Sequence, residues 1–452
     1  MATAFRYLVL FFAFLAGTFS GLAETSPTPA PVLEVPAAAR PSPNFDVEAA
    51  TDAWLATVPA DKKARSDAYF EGGYWLQLWD FLVSAAIMLG LLQSRLSARI
   101  REWAGRLTAR KNLQTLVYFV PFLLVMSILQ FPLTLYEGYV REHHYRLSTQ
   151  TFGGWFRDQV VGLAVAAVLG AVAVMVLFAI VRRLGRSWWV WGAIASVILL
   201  AITALIAPVY IAPLFNTYTK LNDPRIKDPI LSMARANGIP ATDVYEDDAS
   251  RQSTRVSANV SGFLGTERIT LNDNLLQRCT TEEIQTTMGH EMGHYVLHHI
   301  YKDILFFGVL FLGAFGFLQW SLNWSLARWG QRWQIQGITD VAVLPLAALL
   351  LSIFFFVTTP LSNTWSRTQE YEADIFGLNA ARQPDGEAAI DLKLGDYRKL
   401  DPGPVEEFLF FDHPGGRTRI TAAMRWKREN LSRLEAPSVQ SPGTPQGPPA
   451  QP

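Results

Sequence analysis

Thr280 to Tyr301 reads TTEEIQTTMGHEMGHYVLHHIY, and at its centre His290 and His294 stand four residues apart with Glu291 directly after the first. The spacing predicts one helix across the whole stretch. Thr280 and Glu283 have a capping-box separation, in which the threonine oxygen accepts from a first-turn amide and the glutamate reaches back, so the helix starts about ten residues before the motif. At 3.6 residues per turn both imidazoles then share a face, with Glu291 turned about 100° to its edge. Two metal ligands and a proton acceptor are in place.

This HExxH pattern suits zinc, because neutral imidazole is a good ligand and a catalytic site keeps one position open for water. A cation brings the pKa of such water down to about 7. Glu291 is placed to take its proton and return it to the leaving amine of a peptide. With only seven histidines in 452 residues, two on one helical face are not a by-product of a His-rich composition. His298 and His299 follow; on a continuous helix His298 drifts only about 80° from His290, so it could join the site, though the commoner reading is a surface histidine or one just outside the ligands.

A third ligand has to come from elsewhere, and Ser366 to Asp374, SRTQEYEAD, offers it directly after a long apolar run. Glu370 and Asp374 are spaced i, i+4, so one carboxylate can bind the metal while the other accepts a ring N–H from a ligating histidine. Glu372 points to another face.

Together, HEMGH and SRTQEYEADIFG closely resemble the type I CAAX prenyl endopeptidases and their bacterial integral-membrane metallopeptidase relatives. The resemblance runs from about Ala68 to Asn430 and takes in YRLSTQTFGGW and DHPGGRTRI. It implies that one zinc is held by His290, His294 and Glu370, with Asp374 as the motif aspartate. It also implies that His413 and Arg419 face substrate and help hold the tetrahedral oxyanion. One departure concerns the substrate strand: eukaryotic relatives carry Asn-Ala five residues before a glycine, where this chain has Ser257 and Ala258 before Gly262, with Asn259 displaced.

The rest of the chain is consistent with a membrane enzyme. Half of its residues are hydrophobic and 12% aromatic, too apolar for an ordinary soluble protein of this length. A formal net charge of zero argues against a nucleic-acid partner, and Cys279 stands alone, so no intramolecular disulfide forms. Residues 1–23 read as a signal peptide or as a retained first transmembrane helix. Glu24 to Pro43 is Pro/Ala-rich and expected to be an exposed linker, and the Pro-rich stretch Glu435 to Pro452 to lack structure. Six apolar segments have spanning length: Trp75–Gln93, Leu116–Tyr136, Val160–Val181, Trp188–Tyr210, Ile304–Trp324 and Val341–Leu361. Asp80, near the start of the first, either snorkels at the interface or faces a watery interior.

The expected fold is therefore mainly α: a polytopic helical transmembrane bundle with a split zincin-like catalytic domain that contains a small β-meander. Its divisions are 1–23, a linker and N-terminal region at 24–73, four spans in 74–215, a first catalytic segment at 216–303, two spans in 304–362, a second catalytic segment at 363–434, and the tail. Val244–Glu246, Thr254–Val260 and Arg268–Leu271 read as strands, and the edge run Arg255 to Ser261, with Ser257, Ala258 and Asn259, could pair with an extended peptide. Two crossings between His294 and Glu370 return both catalytic pieces to one side. Short loops on the other side carry eleven Arg and Lys against three, which predicts a bacterial inner-membrane protein with a periplasmic site. The function read from these features is hydrolysis of membrane-associated or exported polypeptides, lipidated or not, among membrane lipids. A transporter with a metal site is the competing class, and it gives Glu291 no role.

Overall fold

The computed structural model describes residues 32–261 and 268–434. The segment 1–23 and the tail from Glu435 lie outside the described residues. Helix α1 (Val47–Leu55) precedes α2 (Ala60–Gln93), α3 (Leu96–Leu107), α4 (Lys111–Leu135), α5 (Phe152–Arg183) and α6 (Trp188–Ile206). Then come β1 (Tyr218–Lys220), α7 (Pro224–Ala236), β2 (Val244–Asp247), β3 (Ala258–Ser261), β4 (Arg268–Asn272), α8 (Asp273–Arg278) and α9 (Thr281–Val296). The chain closes with α10 (His299–Trp333), α11 (Leu344–Ala381), α12 (Pro384–Leu394), α13 (Pro404–Phe410) and α14 (Gly416–Glu429).

Six helices among the described residues are long and apolar enough to cross a membrane, and each contains one of the six apolar segments. Bundle packing is aromatic, with Tyr118, Phe122 and Met88 fully enclosed and Phe311, Phe315 and Leu318 around them. Trp75, Trp79 and Trp191 are exposed, as interfacial anchors require, whereas Trp188 is buried against Phe315. Asp80 is 5% exposed, so it faces the interior of the bundle and does not snorkel. Pro121 lies inside α4, while Pro345 occupies the first turn of α11, where a missing N–H costs nothing.

Two of the long helices run past the apolar zone and carry the spans into the catalytic part. The first fifteen residues of α2 bring Tyr69 to Glu142, with a hydroxyl–carboxylate distance of 2.7 Å, and Arg255 bonds to both. At its far end α11 continues from membrane-spanning sequence directly into the Glu370 motif without a break.

The sheet is not a meander. Strand order is β1-β2-β4-β3, with β2 and β4 parallel and both outer pairs antiparallel. The connection after β2 passes beyond the position of β4 before the chain turns back, so β3 becomes an edge. It covers Ala258–Ser261 only, since Ser257 is held instead by the side chain and amide of Asn272. The edge placement of the expected substrate strand is as read from the sequence; the topology is not.

Most of the described residues of the Pro/Ala-rich stretch are exposed, as expected, but one contact pins it to the catalytic part. Ala39 is fully buried and its carbonyl accepts from Lys427 Nζ at 2.6 Å. Ala39, Phe45 and Trp54 pack with Ile420, Ala423 and Met424 of α14, so the N-terminal region clamps the second catalytic segment. Low hydropathy hid this, because the contact rests on a few side chains and one backbone carbonyl.

Candidate metal centre and active site

Helix α9 divides its surface three ways. Ile284, Met288 and Met292, at i, i+4 and i+8, enter an apolar core with Ile269, Leu271 and Leu275. The Thr280–Glu283 capping box is formed in both directions, at 3.3 and 2.8 Å, and Lys393 holds the same glutamate at 2.6 Å. A second face is bare: Gly289 and Gly293 lie against Gly377 and Ala373 of α11. A Cβ on Gly377 would come within 2.8 Å of the His290 amide nitrogen, closer than side chains are found. Small residues on both helices thus bring Glu370 beside the histidines, which form the third face.

There the atoms converge. His290 Nε2 lies 3.1 Å from His294 Nε2 and 3.3 Å from Glu370 Oε2, and His294 Nε2 is 3.6 Å from Glu370 Oε1. A tetrahedral cation with bonds of about 2.0–2.1 Å places its ligands about 3.3 Å apart, so these three donors fit such an ion. Among the described residues this is the group whose ligand atoms all gather within 4.8 Å.

Each histidine is fixed from behind. Asp374, 1% exposed, accepts from His290 Nδ1 at 2.7 Å, which turns Nε2 toward the ion position. Arg419 clamps the same carboxylate with Nε at 2.8 Å and Nη2 at 2.5 Å, and also reaches Glu387 and Asp391 at 3.4 and 2.9 Å. Burial raises the carboxyls of Glu387 and Asp391, against the pull of the Arg419 charge. Behind His294, its Nδ1 meets His299 Nδ1 at 2.8 Å, and His299 Nε2 lies 3.1 Å from Glu372, which Lys302 holds at 2.7 Å.

The expected single helix from Thr280 to Tyr301 is therefore broken. His298 adopts φ 59°, ending α9 and starting α10, and its side chain is exposed. It takes no part in the site. The turn instead carries His299, 2% exposed, back onto His294. His298 is thus the surface histidine weighed from the sequence, while the role of His299 was missed, because a left-handed residue other than glycine gives no strong sequence signal.

His413 lies where a residue facing substrate belongs, with Nε2 3.2 Å from Glu370 Oε2 and Nδ1 2.8 Å from Asp412. Arg419 does not. The resemblance had it facing substrate, but it is 7% exposed and its nitrogens are occupied by Asp374, Glu387 and Asp391. Sequence reading had no signal for Glu387 and Asp391, which lie one turn apart on the otherwise unremarkable α12.

Burial pushes the Glu291 carboxyl up to about 7, against the pull of His290's charge. A proton acceptor and donor works best near that value. Burial likewise pushes the His294 imidazole down to about 3. Strand β3 packs along α9, its outer edge unpaired with any described strand, beside this cluster.

Spanning helices, a helix with HExxH, and a third carboxylate delivered from beyond two crossings define an integral-membrane metallopeptidase. Comparison with known proteins agrees. A model of the CAAX prenyl protease N-terminal region, with five membrane helices, matches residues 49–217, and a model of peptidase family M48 matches residues 220–427. The uncharacterized metalloprotease YhfN of Bacillus subtilis (strain 168) is 31% identical over 344 residues, which are 75% of this chain and 80% of that protein. CAAX prenyl protease 1 of Saccharomyces cerevisiae is 27% identical over 318 residues, 66% of this chain and 69% of the yeast protein. The crystal structure of S. mikatae Ste24p shares the fold, with a TM-score of 0.69 at 22% identity, covering 81% of this chain and 89% of that one. The chain belongs to peptidase family M48 and is a metalloendopeptidase.

Proposed function

We propose that this protein is a zinc endopeptidase that cuts membrane-associated or exported polypeptides, with one zinc per chain on His290, His294 and Glu370. The observation that carries the reading is the convergence of these three donors at tetrahedral spacing, with each histidine's other nitrogen already engaged. When bound, the cation polarises the scissile carbonyl and acidifies water. Strand β3 pairs with the extended peptide, so affinity comes mainly from backbone hydrogen bonds. Glu291 accepts a proton at its carboxylate and passes it to the leaving amine nitrogen. His413 Nε2, beside Glu370, is in position to donate to the oxygen on which negative charge develops. Asp374 and Arg419 keep the His290 ring oriented.

Relatives named CAAX prenyl proteases make prenylated C-termini one substrate class. Ser257, just before β3, and Ala258, its first residue, stand in place of the eukaryotic pattern and favour a general endopeptidase that does not require the prenyl group. The working side is read as the periplasm of a bacterial cell, a reading supported by the eleven basic residues in the short loops opposite. A reporter active only after export, fused after Leu434, is expected to give signal, and cytoplasmic activity at that point would reverse the orientation.

The central test compares Glu291→Gln and His294→Ala. The first keeps zinc and loses cleavage, because an amide cannot accept the proton, while the second loses zinc. Metal content and cleavage of matched prenylated and unprenylated peptides, with and without chelator, are measured together. An empty or fully active Glu291 variant would sink the assignment, and an absolute need for the prenyl chain would sink the broad specificity.

A further inference from the structure

Between β3 and the His413 loop, residues 395–402 cross the front of the site, and their charged side chains are matched except for one. Asp396 bonds to Lys62 and Arg278, and Lys399 to Glu71 and Glu406. Asp401 holds Arg417 at 3.1 Å. Arg398 forms no ion pair among the described residues; its guanidinium contact is Nη2 to His413 Nε2 at 3.5 Å. That same nitrogen of His413 lies 3.2 Å from Glu370. The contrast with Arg419, which is clamped by three carboxylates, is one of position: Arg419 is buried behind the histidines, and Arg398 is only partly buried in front of them.

The loop is anchored on both sides of this arginine. Ser66 Oγ donates to the Arg398 carbonyl at 3.1 Å, and the Tyr397 hydroxyl donates to the Val256 carbonyl at 3.3 Å, two residues before β3. Leu400 is buried in the apolar cluster that holds α14. The backbone is therefore fixed, and the guanidinium ends beside His413 Nε2.

A guanidinium that is partly desolvated and unmatched stands ready to gain a charge-assisted, bidentate partner, and a planar carboxylate matches its fork. A peptide lying along β3 brings such groups in two ways: a free C-terminus shortly beyond the scissile bond, or an acidic side chain. We propose that Arg398 is a specificity-determining residue that binds a carboxylate of the peptide substrate next to the cleavage site. The inference rests on the peptidase reading above and names a feature of its substrate.

Its test uses binding, so that it stands apart from turnover. Zinc-loaded full-length Glu291→Gln protein in detergent is titrated with four fluorescent versions of one peptide: free or amidated at the C-terminus, and with Glu or Gln beside the scissile bond. With Arg398 present, one carboxylate form is expected to bind at least tenfold more tightly than its neutral counterpart, and which pair differs identifies the source. In Arg398→Gln that preference collapses to within twofold, and in Arg398→Lys part of it returns. In the active enzyme the same loss appears in KM for the carboxylate peptide. The proposal is overturned if Arg398 protein shows no preference, if the preference survives in Arg398→Gln, or if Arg398→Gln weakens every peptide equally or lowers kcat for all of them alike. Failure of the peptidase reading would show separately, as wild-type protein that does not cleave or whose cleavage ignores a chelator.

Discussion

His290 and His294 sit one turn apart on α9 and offer the same atom to the ion position, yet they are held by different chemistry. His290 is backed by a dry network: Asp374, Arg419, Glu387 and Asp391 are each no more than 7% exposed. His294 is backed by His299, which is buried, and then by Glu372 and Lys302, whose side chains are 43% and 40% exposed. Removing one charge from the first arrangement strands another in low dielectric, whereas the second ends in water, which substitutes for whatever is lost. The His290 side should therefore couple to folding and the His294 side mainly to metal affinity.

The largest effect is expected from Asp374→Ala. It leaves Arg419 short of its main partner and frees the His290 ring, at a cost of about 3–5 kcal/mol. Thermal unfolding of the detergent-solubilised protein should show a clear drop together with loss of bound zinc, and an unchanged melting temperature would mean that the network is not structural. Gly377→Ala breaks the comparison differently, because it alters no charge. The added methyl meets the His290 amide at 2.8 Å and must push α9 away from α11, carrying Glu370 off the histidines. Zinc content and cleavage should both fall, by about tenfold or more in affinity given that ligand placement is good only to fractions of an ångström; a fully loaded variant would show that the crossing is more compliant than its backbone contacts indicate.

His299→Ala sharpens the contrast. With α9 and α10 still folded, loss of the His294 Nδ1 partner should weaken zinc by about 10–100-fold in a chelator competition and shift stability little. His299→Gln, which can still accept at this position, should recover part of the affinity. Equal loss in both would point to packing and not to ring orientation. The smallest effect belongs to Lys302→Ala, at the exposed end of the same chain, where a surface ion pair contributes about 0–1 kcal/mol and fades with salt. A tenfold change in zinc affinity there would mean that the relay is tighter than its exposure implies.

How much of this was legible beforehand differs by element. The spans could be read because a bilayer imposes length and apolarity locally, and the capping box and the HExxH face because helix periodicity and end chemistry are local too. The meander and the single helix through His298 failed for a common reason. Whether β2 pairs with β3 or with β4, and whether a helix continues past a polar residue, depends on what packs against them, and propensity is a weak guide to that. The one contact that pins the linker was missed likewise, since Ala39 is buried by Lys427 and α14, nearly four hundred residues away along the chain.

By itself the sequence determined the ion-binding chemistry: two histidines and a glutamate on one helix, a second acidic pair on another, and two membrane crossings between them, which put both on the same side. Spacing and hydropathy suffice for that, because each acts within a turn or within a span. Only the tertiary structure decided which residues stand behind and in front of the ion position. His299, Glu387, Asp391 and Arg398 take their roles from the crossing of α9 and α11 at Gly377, from the turn at His298 and from the loop before α13. Those roles are set by distances of about 3 Å between residues far apart in the chain, and no local pattern encodes such a distance.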